Sequence, residues 1–168
     1  MLQLIPATVS HEHINFLCDC YRSKFIQGDF QPTKIVSHGI VTAGIKSQNE
    51  THKHKFIVVY NGLNVGYAYS HQSHTFNHNE IGVTIIPRMR RIGLGFLAHR
   101  ALIVWTLENC KAQRLMAYVS VGNTAERIIL EKFNFQLEGV LRRAGIIEQV
   151  FHDIAVYGVL RHELEVLP

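Results

Sequence analysis

The chain has 168 residues, of which 47% are hydrophobic and 18% charged, and its formal net charge is +4. This length and composition predict one globular domain over residues 1–168 that buries roughly two-thirds of its unfolded surface. No apolar run approaches the roughly 20 residues of a membrane helix, no signal peptide is evident, and no basic stripe interleaved with aromatics is present. We therefore expect no membrane partner and no nucleic-acid partner.

Cysteine and histidine content bears on redox state and metal binding. The three cysteines are an odd number, and Cys18 and Cys20 are too close together for a useful disulfide. Reduced thiols and a cytoplasmic protein follow from this pattern. The eleven histidines raise the question of a metal site. No cysteine or carboxylate set completes a zinc-type ligand group beside them, so we favour solvated surface histidines and expect no metal cofactor.

The N-terminal part of the chain predicts a strand and two helices. The strand covers residues 2–7, and the first helix begins at Thr8 or Ser10, either of which can cap it. Gly28 ends this helix. A second helix follows Pro32-Thr33.

A β-hairpin and a further strand come next. Two apolar runs flank the dipeptide Asn61-Gly62, which is a strong signal for a two-residue hairpin turn. The segments in order are a polar loop at 47–55, strands at 56–60 and 65–70, a loop at 71–79 and a strand that opens at Glu80.

A basic, glycine-rich turn follows that strand. It contains Arg88, Arg90, Arg91, Gly93 and Gly95. Glycine lets phosphate approach the backbone, and a helix N-terminus presents N–H groups and a positive dipole, so the turn predicts a site for a pyrophosphate-bearing cofactor. No Gly-Lys-Ser/Thr ends it, which excludes a P-loop. A dinucleotide site is disfavoured because no acidic residue lies between Glu108 and Glu126, where a ribose ligand is expected.

The rest of the chain predicts two helices and three strands. The first helix has one apolar face, formed by Leu94, Leu97, Ala98, Ala101, Leu102 and Trp105, and an opposite face formed by His99, Arg100 and Glu108. A strand at 114–121, a helix that begins at Asn123 and strands near 137–146 and 148–161 complete the chain. The element order is β-α-α-β-β-β-α-β-α-β-β, which indicates a mixed α/β fold.

The pattern Arg-x-x-Gly-x-Gly at Arg90, Gly93 and Gly95 resembles the acetyl-CoA-binding motif of the GNAT superfamily of N-acetyltransferases. The segment 123–135 resembles the next segment of the same superfamily. The tail, residues 138–143 followed by 153–157, resembles the Rim-type branch, the ribosomal-protein N-terminal acetyltransferases and their relatives. The resemblance covers residues 80 to 160. It implies the GNAT fold, with a central, mostly antiparallel, twisted sheet of six to seven strands, about four flanking helices and a splay at strands four and five.

The resemblance also implies acetyl-CoA as cosubstrate and assigns its contacts. Backbone groups of Ile85 and Ile86 would bind the pantetheine and face the developing oxyanion. Asn123 would both cap its helix and contact the pantetheine. The pyrophosphate cradle would consist of Arg90, Arg91, Ile92, Gly93, Leu94, Gly95 and Phe96.

Proton transfer is less well specified by the sequence. The resemblance makes Glu80 a candidate base for the amine, although an exposed strand-edge carboxylate explains it equally well, and His78 is the substitute. Many members of the superfamily have a tyrosine that acts as general acid seven residues after the motif asparagine, and here that position is Leu130. Glu126 stands where Rim-type relatives have a serine, and we interpret it as part of a capping box. Tyr157 is either a proton donor or a core aromatic, and the thiolate can also leave without a protein acid.

These patterns predict an acetyl-CoA-dependent N-acetyltransferase that works by direct attack of an amine. The Rim-like tail favours a protein or peptide N-terminus as acceptor. Two alternatives stay open: an enzyme for a small amine such as a polyamine, amino acid or antibiotic, and a non-catalytic acyl-CoA-binding domain, which Leu130 allows. A homodimer is also left open.

Overall fold

The computed structural model describes residues 1–24, 36–48, 52–73, 77–147 and 149–164. The strands are β1 (Leu2–Pro6), β2 (Lys53–Tyr60), β3 (Leu63–Gln72), β4 (Asn79–Ile85), β5 (Arg114–Ser120), β6 (Gln136–Ile147) and β7 (Val150–Leu160). The α-helices of the described residues are α1 (His11–Arg22), α2 (His38–Lys46), α3 (Leu94–Asn109) and α4 (Thr124–Lys132), and 3-10 turns lie at Pro87–Met89 and Arg161–Leu164. The mixed α/β class is confirmed, and the described residues follow the predicted element order. The predicted helix end at Gly28 and helix start at Pro32-Thr33 lie outside the described residues.

All seven strands form one sheet in the order β1-β2-β3-β4-β5-β7-β6. The pairings are antiparallel except that of β4 with β5, which is parallel. These two strands share only the pairs Asn79–Leu115 and Glu80–Met116. Beyond Glu80 their facing edges are not paired with each other. This gap, which we call the splay, confirms the predicted parting of strands four and five.

Local sequence signals explain where two of the elements turn. The Ser10 hydroxyl accepts a hydrogen bond from the His13 N–H at 3.2 Å, so Ser10, not Thr8, caps α1. The β2–β3 turn has φ of +49° at Asn61 and +77° at Gly62. Two successive positive φ angles are the requirement of a type I′ hairpin turn, which Asn-Gly meets at low cost.

Apolar side chains fill both faces of the sheet. One cluster packs the sheet against α3 and α4, and the other packs it against α1 and α2. Successive side chains of β4 alternate between these faces. Ile81 and Ile85 belong to the α3–α4 cluster. Thr84 pairs with Tyr67, a member of the other cluster, so Glu80, Gly82 and Thr84 face the side of α1 and α2.

Two segment boundaries differ from the prediction. The strand β2 begins at Lys53, so the polar loop predicted to reach residue 55 is shorter. The strand β3 continues to Gln72 and β4 begins at Asn79, so the connection between them is shorter at both ends than the predicted loop at 71–79. Polar residues occupy these strand ends because they lie at the sheet margin, where the apolar alternation fades.

The buried face of α3 also differs from the prediction. His99 was predicted on the polar face, yet it is 1% exposed, whereas Leu97 is 42% exposed. The buried stripe consists of Leu94, Ala98, His99, Leu102, Ile103 and Thr106. The predicted stripe was therefore rotated by about one residue. The physical reason is that α3 is apolar on most sides, so spacing alone does not fix its orientation.

Candidate active site

The helix α3 begins at Gly93 without a side-chain cap. Gly93, at the N-cap position, has φ of +85° and has no side chain that could accept a hydrogen bond from the first turn. The other three described α-helices each have a side-chain cap, from Ser10, Ser37 and Asn123. The first-turn N–H groups of a helix have no intrahelical partner. Those of residues 94–96 are therefore left without a side-chain acceptor, which suits them to an anion.

The arginines before this helix differ in their contacts. Arg91 has φ of +65°, a left-handed conformation that explains why glycine is common at this position. Arg88 and Arg91 are exposed, and both lie in the segment that leads into the open helix end. Arg90 instead donates from Nε to the Ile85 carbonyl at 2.8 Å. Burial lowers the pKa of Arg90, but an arginine stays charged near neutral pH.

The remaining cradle residues divide into backbone and packing roles. A Cβ on Gly95 would lie 3.2 Å from Cδ1 of Ile129, so this glycine lets α4 approach α3. Leu94 is buried, and Phe96 stacks on Phe133 with ring centroids 4.6 Å apart. Only the backbones of Leu94 and Phe96 face outward at the helix end. Ile92 is 59% exposed and points to solvent.

The backbone of β4 presents alternate residues to the splay. The Ile86 amide donates to the Val65 carbonyl at 2.9 Å, so this N–H, predicted to face the pantetheine, is directed to β3. Alternation of backbone direction along an antiparallel strand then points the N–H and C=O groups of Ile85 and Val83 into the splay. The Ile85 carbonyl is the one that Arg90 holds. Of the two predicted residues, Ile85 lies in the position to offer its amide.

A tyrosine not identified from the sequence accompanies the candidate base. Tyr69 donates from its hydroxyl to Oε1 of Glu80 at 2.9 Å. Its ring lies across Gly82, where an added Cβ would come within 2.5 Å of Tyr69 Cε1. Burial, followed by the Glu80 charge, raises the pKa of Tyr69 well above its usual value, so this hydroxyl stays a donor. The β3–β4 register sets Tyr69 opposite Gly82, and the sequence carries no signal that fixes this register.

His78, the substitute base, lies close enough to the same carboxylate to be influenced by it. Burial and the charge of Arg114 lower the pKa of His78, while Glu80 acts in the opposite direction. The net effect keeps the His78 imidazole neutral near pH 7 and able to accept a proton. Arg114 itself is paired with Glu138.

The start of α4 differs from the predicted capping box. The Asn123 side chain does accept from the Glu126 N–H at 3.3 Å, as an N-cap should. The Asn123 N–H, however, donates to the Ser120 carbonyl at 2.8 Å. The Glu126 carboxylate instead accepts from Nε2 of the buried His99 at 2.9 Å. The capping interpretation of Glu126 is therefore wrong, because a buried histidine competes for its carboxylate.

Tyr157 and Leu130 both lie in the core. Each is 0% exposed. The Tyr157 hydroxyl donates to Oε1 of Glu131 at 2.9 Å and accepts from Nε of Arg127 at 3.1 Å. These contacts satisfy the hydroxyl and tie α4 to β7, which is the core-aromatic alternative for this residue.

The described residues show neither a metal-type cluster nor a membrane-type helix. Among the described residues, no three His, Cys, Asp or Glu side chains come together as a metal site. The described helices include none with the length and apolar character needed to cross a bilayer.

Comparison with known proteins agrees with this geometry. A family model described as an acetyltransferase (GNAT) domain matches residues 2–136. A Bacillus subtilis (strain 168) protein, provisionally named as the ribosomal N-acetyltransferase YdaF, is 28% identical over 109 residues, or 64% of this chain. The chain spans 60% of the length of this curated relative.

Two solved structures show the same fold. The RimL ribosomal L7/L12 alpha-N-protein acetyltransferase, solved with coenzyme A, has a TM-score of 0.81 at 16% identity and covers 95% of this chain and 93% of its own. Salmonella typhimurium yncA, provisionally named an acetyltransferase and solved with acetyl-CoA, has a TM-score of 0.80 at 15% identity and covers 99% and 95%.

The sheet order, the splay and the uncapped helix place this fold in the acetyltransferase class. With a family model that matches most of its length, the chain belongs to the GNAT acetyltransferase family. The predicted family is thus confirmed.

Proposed function

We propose that the protein is an acetyl-CoA-dependent N-acetyltransferase that acetylates the N-terminal α-amine of a protein or peptide. The observation that carries this proposal is the splay itself. It has a carboxylate, Glu80, where β4 and β5 part, and the uncapped end of α3 beyond the other end of β4. A thioester with an anionic tail would span this arrangement.

The residues present fit the cosubstrate. Acetyl-CoA supplies the acetyl group as a thioester when it is bound. The N–H groups of residues 94–96 would donate hydrogen bonds to the pyrophosphate oxygens, and Arg88 and Arg91 in the segment before the helix are exposed and positively charged. Asn123, half-buried at the start of α4, is the candidate pantetheine contact on the opposite wall. The positive φ at Gly93 sets the backbone path of this cradle.

The amine must lose a proton to become a nucleophile. Glu80 receives that proton, directly or through water, with Tyr69 holding one carboxylate oxygen in place. A hydrogen bond to a charged acceptor is stronger than a neutral one, so Tyr69 restricts the Glu80 rotamers. The neutral His78 imidazole is the substitute acceptor in the same region.

The carbonyl oxygen gains negative charge during attack and needs a donor. The Ile85 amide points into the splay and can supply it, whereas the Ile86 amide is directed to Val65. No step needs Tyr157 as an acid, because its hydroxyl is already held by Glu131 and Arg127. In this proposal, solvent protonates the leaving thiolate.

The choice of an α-amine follows from acid–base chemistry and from similar proteins. An N-terminal amine has a pKa of about 7.7–8.0 and a lysine or polyamine amine about 10.4, so the former needs much less help from a base. The names of YdaF and RimL refer to ribosomal acceptors, and RimL to an alpha-N-protein one.

An equimolar competition tests the proposal. The protein would be incubated with acetyl-CoA and three acceptors: short peptides with small free N-terminal residues, spermidine, and Nα-acetyl-lysine methyl ester. Mass spectrometry would then show which acceptor carries the acetyl group. We expect acetyl groups first on the peptides. Earlier labelling of spermidine would overturn the acceptor class in favour of a small amine. Acetyl-CoA binding without turnover of any amine would favour the non-catalytic alternative.

A further inference from the structure

The joint between α3 and α4 contains one polar contact that the proposed chemistry does not use. Two of its contacts are apolar: Gly95 against Ile129, and the stacked rings of Phe96 and Phe133. Apolar contacts fix separation well but resist sliding poorly, since they have no direction. The third contact is the bond between His99 and Glu126.

His99 lies between two acceptors. Its Nδ1 is 2.8 Å from the Gly95 carbonyl oxygen, and its Nε2 is 2.9 Å from Oε1 of Glu126. A carbonyl oxygen only accepts, so Nδ1 must carry a proton. A second proton must then lie between Nε2 and the carboxylate. His99 is 1% exposed, so this arrangement is a buried ion pair or its neutral equivalent.

These bonds connect the two walls of the proposed cofactor site. Gly95 is in the first turn of α3, in the cradle. Glu126 is in the first turn of α4, where its N–H also holds the Asn123 side chain at 3.3 Å. A continuous path therefore runs from the cradle, through His99 and Glu126, to Asn123.

We propose that His99 and Glu126 are positioning residues that hold the acetyl-CoA cradle in register with the start of α4. This proposal rests on the proposed function. Neither residue needs to touch the cosubstrate. Their bond fixes the distance between the N–H groups of α3 and the Asn123 side chain, so its loss should weaken acetyl-CoA binding more than it slows the chemical step.

The charge of the pair makes this register sensitive to pH. Burial lowers the pKa of His99, but the Glu126 charge and the bonds to Glu126 and Gly95 outweigh it, so the net pKa is raised. The sheet beneath presents the apolar Ile81 and Ala117. Burial, the Glu80 charge and, to a smaller extent, the Glu126 charge raise the pKa of Tyr69, so that its hydroxyl stays neutral. Of the nearby arginines, Arg100 is exposed and Arg127 is directed to Tyr157 and Val121. The stabilisation that the raised pKa provides is fully present below the unfolded pKa of histidine and is lost as pH rises through the raised folded pKa, where His99 gives up its second proton.

The experiment compares His99→Leu, Glu126→Leu and the double variant with a control, His162→Leu, at an exposed histidine. Each single variant leaves a buried polar group without its partner and should be less stable. The double variant removes both partners, so its melting temperature should recover towards that of the unchanged protein. If the pair only stabilised the fold, the double variant would also regain the acetyl-CoA affinity of the unchanged protein. We expect no such recovery: about tenfold weaker binding by calorimetry, a raised KM for acetyl-CoA and a nearly unchanged kcat.

Two further measurements complete the test. The nitrogen NMR spectrum of the histidine rings, assigned by the signals missing in His99→Leu, should show both ring nitrogens of His99 protonated at neutral pH. Acetyl-CoA affinity should fall with rising pH more steeply in the unchanged protein than in the double variant. A stable double variant that binds acetyl-CoA as tightly as the unchanged protein overturns this inference alone. Failure of the unchanged protein to bind acetyl-CoA overturns the proposed function and this inference with it.

Discussion

Replacing Gly82 with alanine should displace Tyr69 from the candidate base. The new Cβ would lie 2.5 Å from Cε1, 2.7 Å from Cζ and 2.8 Å from the hydroxyl oxygen of Tyr69. Ordinary contact begins at 3.4 Å, so the ring must withdraw by 3.4 − 2.5 = 0.9 Å. A movement of that size takes the 2.9 Å bond to Glu80 beyond hydrogen-bonding range unless the carboxylate follows.

The expected magnitude has two parts. A hydrogen bond to a charged group contributes about 1.5–3 kcal/mol, which corresponds to a loss of roughly 10- to 100-fold in kcat/KM if Glu80 must be held for the reaction. Overpacking of a buried site costs a further ~1–3 kcal/mol of unfolding free energy. For a chain of this size that is a fall in melting temperature of about 2–4 °C per kcal/mol.

The assay is thiol release from acetyl-CoA with the best peptide acceptor, beside thermal unfolding. Gly139→Ala is the matched control, because a Cβ there meets nothing within 4 Å. Tyr69→Phe removes the hydroxyl without crowding. If both changes act through the same bond, adding Gly82→Ala to Tyr69→Phe should lower kcat/KM little further. Wild-type kcat/KM in Gly82→Ala would refute the reasoning that Tyr69 must hold Glu80.

Three other changes test the proposed site. Gly93→Val should abolish acetyl-CoA binding while the fold survives, since a β-branched residue is strained at φ of +85°, and unchanged affinity by calorimetry would contradict the cradle. Glu80→Gln should slow turnover near neutral pH on the order of 10²-fold and recover partly at high pH, as free amine accumulates; a wild-type pH profile would pass the role to His78 or solvent. Arg90→Ala should weaken acetyl-CoA binding at every salt concentration, because part of its role is the Ile85 carbonyl bond, whereas a deficit that vanishes at high salt would indicate charge alone.

Most of the fold could be predicted because its signals are local. Ser10 caps α1 and Asn61-Gly62 forms the hairpin turn through contacts within a few residues, which a sequence displays directly. The glycine-containing turn before α3 was predictable for the same reason. Gly93 has the positive φ that the glycine pattern indicates, and the turn precedes its helix as expected.

The parts that could not be predicted depend on partners distant in sequence. Glu126 was assigned to its own helix end, but His99, 27 residues away, takes its carboxylate. The helix α3 gave no warning, because an apolar helix has several plausible buried faces, and Leu97, which spacing assigned to the core, is 42% exposed. The pairing of Tyr69 with Glu80 across two strands needs the β3–β4 register, which the sequence leaves open.

The missing side-chain cap at Gly93 has a consequence for the lifetime of the protein. An N-cap serine, threonine, aspartate or asparagine stabilises a helix by a few tenths of a kcal/mol more than glycine, because its side chain accepts from a first-turn N–H. The helix α3, whose side chains run through the α3–α4 core cluster, lacks this acceptor. Its first turn should therefore fray more than those of the capped helices, visible as faster amide hydrogen exchange at residues 94–96. A bound pyrophosphate would act as the cap and slow that exchange. Protein turnover by proteolysis would then respond to the supply of acetyl-CoA, with starvation for acetyl groups shortening the survival of the enzyme that transfers them.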